Sequence, residues 1–514
     1  MKLRELLSEI PHRLISGEEE TEITSIVYDS RKVKPGSLFV CLTGFLTDGH
    51  EYIRQALEQG AVAVMAEREV EPGAFPVTKE EKPGAFPVIK EEKPGEEPAG
   101  GVAAVIQVPD TREALAYLAA AWFGHPAREL CIIGITGTKG KTTTAHMLRS
   151  ILEEQGEQAG MIGTLGAYIG REHIPTDNTT PEPWELHRLF ARMRQKGCRY
   201  VVMEVSSQAL KQKRTAGILF AYGVFLNISP DHIGAGEHED FAEYLACKGL
   251  LFSQTKQAVA SIDDMHWQDV TGAMERVVTV STQKRADYQG TAIRNCWKPG
   301  FLGVEFQVTE KGAPKGKLRL NMPGQFNVEN ALAAIAVASG LGISWEVMAA
   351  ALGKVYVKGR TQLLKGTAHF STFLIDYAHN ALSMENLLET LRGYHPGRLV
   401  CMFGGGGNKP KQRRYDMGRI AGKYADLSII TMDNPRFEDM EEINKDIIAG
   451  LKVHDGAYKV ISDRKQAIHY LIDNSGREDL VVFVGKGHET YQEIRGKRYY
   501  FSEEEIVEGY LQTK

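Results

Sequence analysis

The chain has 514 residues, more than one hydrophobic core normally holds, which predicts about three domains. Hydrophobic residues make up 43% of the sequence and charged residues 25%, a composition typical of a globular enzyme and not of a disordered or fibrous protein. The formal net charge of -5 gives no support for a nucleic-acid partner or an anionic membrane surface.

The start of the chain, MKLRELLSEIPHRL, predicts an amphipathic helix rather than a signal peptide, and no apolar run is long enough for a membrane span. The six cysteines are scattered without CxxC spacing, which predicts free thiols and neither a disulfide framework nor a zinc site. This cysteine usage is typical of a reducing compartment, so we expect a cytoplasmic protein.

Residues 1–108 alternate short predicted strands and helices and form the first predicted domain. It is interrupted over 72–101 by an 11-residue tandem repeat, PGAFPVTKEEK and then PGAFPVIKEEK, and a Pro- and Gly-rich continuation. This composition predicts an exposed insertion that does not pack into the core. A duplicated surface loop and a functional tail are the two interpretations, and we favour the loop.

Two series of apolar runs follow along the chain. Over 109–356 the runs LCIIGIT, RYVVMEV, YGVFLNI and QAVASI alternate with helical stretches, which predicts a mostly parallel sheet covered by helices. Over 357–514 the runs are TFLIDYA, RLVCMFGG, LSIITMD and LVVFVGKG, and they end where open α/β sheets bind ligands. The sequence therefore predicts three α/β domains, the third of them Rossmann-like with its own binding site.

The segment IIGITGTKGKTTT predicts a strand, a glycine-rich turn and a helix. Gly137 and Gly140 would let backbone N–H groups approach phosphate oxygens, Lys141 can reach them, and Thr142 can bind Mg²⁺. The strict P-loop spacing fails, because Ile135 stands where the first glycine would be. The context favours a nucleotide site, and a purely structural glycine turn is the alternative.

Three further residues are candidates for the same chemistry. Glu204 ends the run YVVMEV and His232 follows another apolar run, so either could bind Mg²⁺, although each could equally be a cap or a surface residue. Lys248 lies in an apolar helical stripe within DFAEYLACKGLLFS. It could extend its charged end to water, or it could be partly buried with a lowered pKa and open to chemical modification.

Ten segments spread over nearly the whole chain carry a resemblance to a known family: YDSRKVKPGSLFVCLTGFLTDGHEY, GITGTKGKTTT, DNTTPEP, MEVSSQALKQKR, YLACKGLLF, MPGQFNVENALAA, KGR, IDYAH, DNPRFED and GKGHETYQEI. The chain resembles the Mur ligases, ATP-dependent enzymes that build the peptide of peptidoglycan precursors. The resemblance implies that ATP phosphorylates the terminal carboxylate of UDP-N-acetylmuramoyl-L-alanyl-D-glutamate. A diamino acid then attacks the acyl phosphate, giving an amide, ADP and phosphate.

The resemblance also implies roles for single residues on the nucleotide side. Those matching ATP-binding positions are Gly137, Thr138, Lys139, Gly140, Lys141, Thr142, Thr143, Asn327, Asn330, Arg360 and Asp376. Those matching catalytic positions are Lys141, Glu204, His232 and Lys248, the last three lying with Thr142 around Mg²⁺. Lys248 matches a carbamylated lysine, in which CO₂ turns the cation into an anion able to bind a second Mg²⁺. Without the resemblance, the two asparagines would be interpreted as buried hydrogen-bonding residues.

For the other two substrates the resemblance implies two more sets of residues. Matching UDP-substrate positions are Ser30, Phe45, Leu46, Thr47, Asn178, Thr179, Thr180, Ser206, Gln212 and Arg214. Matching amino-acid positions are Lys409, Asp433, Asn434, Pro435, Arg436, Gly485 and Glu489. In the family, DNPR marks addition of meso-diaminopimelate, whose second carboxylate an arginine can bind bidentately. An Asn-Pro turn with a surface arginine is the alternative. We expect small-molecule substrates only, and a monomer.

Three positions depart from the family pattern and leave alternatives open. Lys409 replaces a usual arginine by a point charge, which would weaken selection of diaminopimelate. Gln208 stands where histidine is common, and DYAHNALS lacks the usual Thr-Pro. L-Lysine addition and a divergent family member with another acceptor are therefore alternatives. Folylpolyglutamate and cyanophycin synthetases share the core without this N-terminal domain, and a P-loop switch or UDP-sugar-binding scaffold would need no amine pocket.

Overall fold

The computed structural model describes residues 1–44, 47–68, 103–231, 233–234, 236–272, 274–298, 300–367 and 371–514. The repeat insertion predicted over 72–101 lies outside these residues. The chain divides into two compact units, the first made of Met1–Thr138, Glu157–Ala258 and His266–Val277, the second of Lys139–Gly156, Val259–Met265 and Val278–Lys514. The predicted domain boundaries after residues 108 and 356 stay a prediction.

Helices and strands alternate along most of the chain. The helices are α1 (Leu3–Leu7), α2 (Ile53–Glu58), α3 (Thr111–Trp122), α4 (Lys141–Glu154), α5 (Pro183–Gln195), α6 (Ser207–Lys211), α7 (Phe241–Gly249), α8 (Trp267–Thr271), α9 (Gln325–Gly340), α10 (Trp345–Leu352), α11 (Ala381–Arg392), α12 (Lys411–Tyr424), α13 (Met440–Leu451), α14 (Arg464–Asn474) and α15 (Glu503–Leu511).

The strands up to the middle of the chain are β1 (Arg13–Ser16), β2 (Ser25–Val27), β3 (Ser37–Val40), β4 (Ala61–Ala66), β5 (Ala104–Gln107), β6 (Cys131–Thr136), β7 (Ala159–Gly163), β8 (Gly166–Ile169), β9 (Glu172–Ile174), β10 (Tyr200–Glu204), β11 (Phe220–Phe225) and β12 (Thr255–Ser261). The later strands are β13 (Val277–Ser281), β14 (Tyr288–Lys298), β15 (Phe301–Glu310), β16 (Ala313–Leu320), β17 (Gln362–Leu363), β18 (Thr372–Asp376), β19 (Arg398–Phe403), β20 (Leu427–Ile430), β21 (Tyr458–Val460), β22 (Asp479–Val484), β23 (Tyr491–Ile494) and β24 (Lys497–Tyr500).

The first unit contains two sheets of the predicted kind. Its N-terminal sheet has the order β1-β5-β4-β3-β2, in which only the β1–β5 pair is antiparallel. In the strand order β11-β6-β10-β7-β8-β9 the first four strands are parallel, and β8 and β9 form antiparallel pairs. Because β6 and β10 are buried on both faces, their apolar runs were visible in the sequence.

The second unit holds the C-terminal sheet, with the order β17-β18-β22-β19-β20-β21. All its pairs are parallel except β17–β18. The last strand in sequence, β22, lies between the first two parallel strands, so the loops that follow β18, β19 and β22 leave the same edge of the sheet. Such an edge is where open α/β sheets bind ligands, and the predicted α/β fold class is confirmed.

Two details differ from the sequence predictions. The helix predicted over residues 1–14 covers only Leu3–Leu7, and β1 begins at Arg13, because Pro11 cannot continue a helix. In the second unit, β14, β15 and β16 form antiparallel pairs within a region predicted as alternating strands and helices. Strand β14 is largely polar and exposed, so it offered no apolar run to detect. Among the described residues, no helix is both long and apolar enough to cross a bilayer.

Candidate functional site

The glycine-rich turn after β6 contains the boundary between the two units, and each half has its own contacts. In the first unit, the Thr138 amide donates to the Asn227 carbonyl at 2.9 Å, and the Thr138 hydroxyl lies 3.1 Å from the Tyr244 hydroxyl. In the second unit, Gly140 has a φ of 87°, a left-handed conformation that glycine adopts at little cost, and it precedes the first turn of α4. Helix α4 therefore begins at Lys141, and the N-terminal end of a helix favours an anion.

The candidate residues at the start of α4 are fixed by local structure. Thr142 and Thr143 are buried in the first turn, and the Thr144 amide donates to the Gly140 carbonyl at 2.9 Å. The Lys139 ammonium donates to the Ser383 hydroxyl at 3.1 Å. The turn and helix thus have the form that the sequence predicts for a phosphate-binding loop.

Lys248 is buried on α7 with only 1% of its surface exposed. Its ammonium lies 4.5 Å from the centre of the Tyr244 ring, and burial raises the pKa of the Tyr244 hydroxyl to about 12. The interpretation of Lys248 as a lysine that extends its charge to water is therefore wrong. The side chain lies inside the fold, where a chemical modification of its amine would be sheltered.

Glu204, at the end of β10, is a buried carboxylate held by the loop after β7. Its two oxygens accept from the Thr164 amide at 2.9 Å and the Thr164 hydroxyl at 3.1 Å. A Cβ placed on Gly163 would lie 2.2 Å from a Glu204 carboxylate oxygen, so only glycine leaves room for this side chain. Glu204 is 1% exposed, which excludes a surface role.

The predicted dipeptide-side residues join Glu204 in one hydrogen-bonded network of the first unit. The Thr180 hydroxyl donates to the Glu204 carbonyl at 2.9 Å and accepts from the Ser206 amide at 3.0 Å. Arg214 donates to the Thr180 carbonyl at 2.8 Å and to the Gln212 side chain at 2.6 Å. We call Thr164, Thr179, Thr180, Glu204, Ser206, Gln212 and Arg214 the threonine network.

The remaining UDP-side candidates lie around this network or outside the described residues. Ser30 is buried just after β2, and beside it the pKa of Tyr28 is raised by burial and by Glu182. Asn178 and Thr47 are exposed. Phe45, Leu46 and the predicted metal ligand His232 lie outside the described residues.

In the second unit, the residues predicted to bind the nucleotide make contacts with other protein groups. Asn327 donates to the Pro323 carbonyl at 2.7 Å and accepts from Asn330 at 3.2 Å, both asparagines being buried on α9. Asp376, at the end of β18, accepts from the Thr361 amide at 2.7 Å and from the Ala378 amide at 2.8 Å. Burial raises the pKa of Asp376, and neighbouring Arg360 opposes this effect. These contacts fix the Lys-Gly-Arg turn that precedes β17.

A cavity of about 240 Å³ lies at the edge of the C-terminal sheet. Its lining includes six of the seven residues predicted to bind the amino acid, namely Lys409, Asp433, Asn434, Arg436, Gly485 and Glu489. The seventh, Pro435, supports the wall instead, because a Cβ on Gly407 would lie 1.9 Å from the Pro435 carbonyl oxygen. The glycine turn and the DNPR loop can approach this closely only because residue 407 is glycine.

Arg436 is held in position by three elements. Its backbone has a φ of 52°, and its amide donates to the Glu493 carbonyl on β23 at 3.1 Å. Its guanidinium donates to the Gly407 carbonyl at 2.7 Å and lies 3.3 Å from the Glu493 carboxylate. Its side chain is 27% exposed and lines the cavity, so it is not a free surface arginine.

Two carboxylates, Asp433 and Glu489, also line the cavity. Burial raises the pKa of Glu489, and neighbouring Asp433 raises it further, while a hydrogen bond from Asn434 lowers it. That bond runs from the Asn434 amide nitrogen to Glu489 at 2.9 Å. The cavity therefore offers cationic and anionic groups to one ligand.

Sequence reasoning missed several lining residues. Arg413, Arg414, Tyr377 and His379 line the cavity together with the predicted residues. Arg414 is 3% exposed and donates to Glu438 and Asp446, both at 2.7 Å. The signal was present in KPKQRR, because cations in the first turn of a helix oppose its dipole and call for an anionic partner.

Comparisons with known proteins agree with this architecture. Residues 22–123 match the model of the Mur ligase family catalytic domain, 135–338 that of the Mur ligase middle domain, and 359–487 that of the Mur ligase glutamate ligase domain. A UDP-N-acetylmuramoyl-L-alanyl-D-glutamate--2,6-diaminopimelate ligase of Caldanaerobacter subterraneus subsp. tengcongensis is 40% identical over 513 residues, 99% of either chain. The enzyme of that name from Clostridium perfringens is 35% identical over the full length of both chains.

A solved structure is also similar to this chain in fold and sequence. A structure titled as a UDP-N-acetylmuramoyl-L-alanyl-D-glutamate--2,6-diaminopimelate ligase is 26% identical, covers 100% of this chain and 99% of its own, and superposes with a TM-score of 0.69. The protein is an ATP-dependent amide ligase of α/β fold. This chain belongs to the Mur ligase family.

Proposed function

We propose that this chain is the ATP-dependent ligase that joins meso-2,6-diaminopimelate to UDP-N-acetylmuramoyl-L-alanyl-D-glutamate in peptidoglycan precursor synthesis. Its full-length relatives carry the name of this activity, at 35–40% identity. The observation that carries the proposal is the cavity, whose lining combines the cations Arg436 and Lys409 with the carboxylates Asp433 and Glu489. A diamino dicarboxylic acid supplies the matching carboxylate and ammonium groups, whereas L-lysine has no second carboxylate for Arg436.

The reaction needs activation because a carboxylate is a poor electrophile. The terminal carboxylate of the dipeptide takes the γ-phosphoryl group of ATP, and the amine of the incoming amino acid then displaces phosphate and loses a proton. Lys141 and the amides at the start of α4 are suited to meet the charge on the phosphoryl group. Asn327, Asn330, Arg360 and Asp376 shape the nucleotide side of the second unit.

Glu204 in the first unit fits a magnesium ligand, because it is a buried carboxylate in a cradle that a side chain at Gly163 would fill. In the second unit, Thr142 lies in the first turn of α4 and carries a hydroxyl of the kind that binds Mg²⁺. A bound Mg²⁺ would neutralise phosphate charge. We also propose that Lys248 is carbamylated, supported by its burial on α7, since a carbamate would supply a second anionic ligand. The threonine network includes the cation Arg214 and is suited to hold the dipeptide carboxylates.

The remaining assignments extend the same proposal. We assign residues 1–108 to UDP binding, 109–356 to ATP binding and 357–514 to amino-acid binding. We place the enzyme in the cytoplasm as a monomer acting on small molecules, in keeping with six free cysteines.

The test is phosphate release from ATP and Mg²⁺ with the UDP-dipeptide substrate and a panel of meso-diaminopimelate, L-lysine and L-ornithine. Release that depends on diaminopimelate supports the proposal in full. Release with lysine or ornithine alone keeps the ligase chemistry and overturns the amino-acid assignment. Silence with every amine overturns the function.

A further inference from the structure

Behind the wall of the amino-acid cavity lies a fully buried lysine that no motif match assigned a role. Lys486, in the turn after β22, has 0% of its surface exposed. Its ammonium lies 3.1 Å from an Asp433 carboxylate oxygen and 3.7 Å from Glu489. It also donates to the Asn434 side-chain oxygen at 3.1 Å and to the Tyr491 carbonyl at 2.7 Å.

The contacts of Lys486 determine how Asn434 is oriented. The Asn434 oxygen accepts both from Lys486 and from the Glu493 amide, the latter at 2.9 Å. With its oxygen fixed in this way, Asn434 turns its amide nitrogen toward Glu489, to which it donates at 2.9 Å. A flip of this amide would place its nitrogen against two donors, so Lys486 sets the direction of the bond that reaches the cavity.

Charge gives the second part of the argument. Asp433 and Glu489 line the cavity, and the negative charge of Asp433 adds to burial in raising the pKa of Glu489. Lys486 supplies one positive charge against these two negative charges, which leaves this pair of carboxylates with one net negative charge. The positive charge of Arg436 is paired with a different carboxylate, that of Glu493, at 3.3 Å.

We propose that Lys486 is a positioning residue for the incoming diamino acid: it fixes Asn434 and leaves the wall formed by Asp433 and Glu489 with one net negative charge, matched to one substrate ammonium group. This inference rests on the proposed function. Lys486 does not touch the ligand, because it lies behind the residues that line the cavity. Its effect is therefore on the affinity for the amino acid and on the pH at which the amino acid binds.

Several groups besides Lys486 influence the ionisation of Glu489, and the test has to separate them. Those that interact with it are Asp433, Asn434, Arg436, Tyr377 and Tyr491. Further charged groups of the same cavity lining are Lys409, Arg413 and Arg414, and Glu493 pairs with Arg436. None of these residues is itself replaced in the Lys486 variants. Comparing Lys486→Met in the wild type with Lys486→Met in a Glu489→Gln background isolates the pair.

The experiment measures kcat and KM for meso-diaminopimelate from roughly pH 6 to 9. For Lys486→Met we expect KM to rise about tenfold with kcat and the KM values for ATP and the UDP-dipeptide unchanged. The acidic limb of kcat/KM should move about one unit to higher pH, because Glu489 then ionises less readily. In the Glu489→Gln background the limb should not move. Lys486→Arg keeps the positive charge, so the acidic limb of its kcat/KM profile should lie at the wild-type pH.

The controls keep the two proposals apart. Lys423→Met removes a lysine that bonds Glu385 at 3.2 Å, away from the cavity lining, and should leave the profile unchanged. A wild-type pH profile for Lys486→Met, or a shift that persists in the Glu489→Gln background, overturns the role of Lys486 while diaminopimelate-dependent turnover still supports the function. If Lys486→Met does not fold, Lys486→Gln is measured in its place. Loss of folding in both neutral variants would assign Lys486 to stability alone and overturn the proposal.

Discussion

The threonine network and the amino-acid cavity use polar residues in opposite ways. In the network, Glu204, Thr180 and Arg214 are bonded to other parts of the protein, so their positions are fixed from within. In the cavity, Arg436 and Glu489 are supported from behind and face a space of about 240 Å³. The network therefore fixes the positions of groups proposed to bind the dipeptide and Mg²⁺, whereas the cavity presents its charges to the amino acid. Replacing a network residue should reduce turnover, and replacing a cavity residue should weaken binding of one substrate.

The largest expected effect is that of Glu204→Gln. The amide keeps an oxygen that can accept from Thr164 but loses the charge proposed for Mg²⁺, so kcat should fall on the order of 100-fold. The measurement is kcat as a function of Mg²⁺ concentration, with folding checked by circular dichroism. Thr164→Val, which removes the hydroxyl contacts with Glu204 and Thr179, both at 3.1 Å, but keeps the charge of Glu204, should have a smaller effect. Equal turnover in Glu204→Gln and the wild type would contradict a metal role.

The second effect separates binding from turnover. Arg436→Ala should raise KM for meso-diaminopimelate about 100-fold, since a charge-assisted bidentate contact is lost, and leave KM for ATP unchanged. Steady-state kinetics with each substrate varied in turn would measure this. Arg498→Ala on β24 is a matched control, because that exposed arginine stacks over Tyr491 and does not line the cavity. A parallel rise in KM for ATP would mean that the cavity also shapes the nucleotide side.

The third effect concerns stability in acid. Burial lowers the pKa of His187 on α5 to about 4, and that of His488 beside the cavity to about 4. Each is neutral in the folded state but protonates below about pH 6.5 when unfolded, so its stabilisation is complete above that pH and is lost as the pH falls toward 4. Between pH 7 and pH 5 the loss for His187 should be about 2 kcal/mol.

The size of this loss of stability can be measured by urea unfolding of the wild type and of His187→Leu at pH 7 and pH 5. The variant should lose less stability on acidification than the wild type. His488→Leu should show the same sign with a smaller difference, because His488 is only half-buried. An acid dependence identical in all three proteins would exclude both histidines as its source.

The smallest expected effect is on the selectivity of the cavity for meso-diaminopimelate over L-lysine. Lys409 is exposed at the cavity rim, where an arginine would offer a planar fork to the distal carboxylate. Lys409→Arg should therefore lower KM for meso-diaminopimelate by about threefold and leave L-lysine turnover unchanged. Competition between the two amino acids would measure the ratio. A gain for both amino acids alike would show that residue 409 contributes charge without selectivity.

The sequence predicted those parts of the molecule that have a local signature. Buried strands such as β6 and β22 appear as apolar runs, and DNPR and GKGHE identified one wall of the cavity. Arg413 and Lys486 were not identified, since a charged residue in a helix or turn has the same local pattern whether it meets water or a cavity. Strands β14–β16 were missed because their stabilising contacts are made with one another across the sheet. The sequence alone does not show which distant segments the fold brings together around the cavity.

The first turn of α12 brings positive charge to the cavity. Lys411 and Arg413 lie at the positive end of this helix, where cations are unfavourable, and Arg413 lines the cavity. A dicarboxylic amino acid bound there, as we propose, would offset part of this charge, and a ligand that binds the folded chain stabilises it by mass action. A cell that runs short of this amino acid would hold more of the enzyme in its less stable form, more open to proteolysis. The abundance of the ligase would then follow the amount of building block available to it.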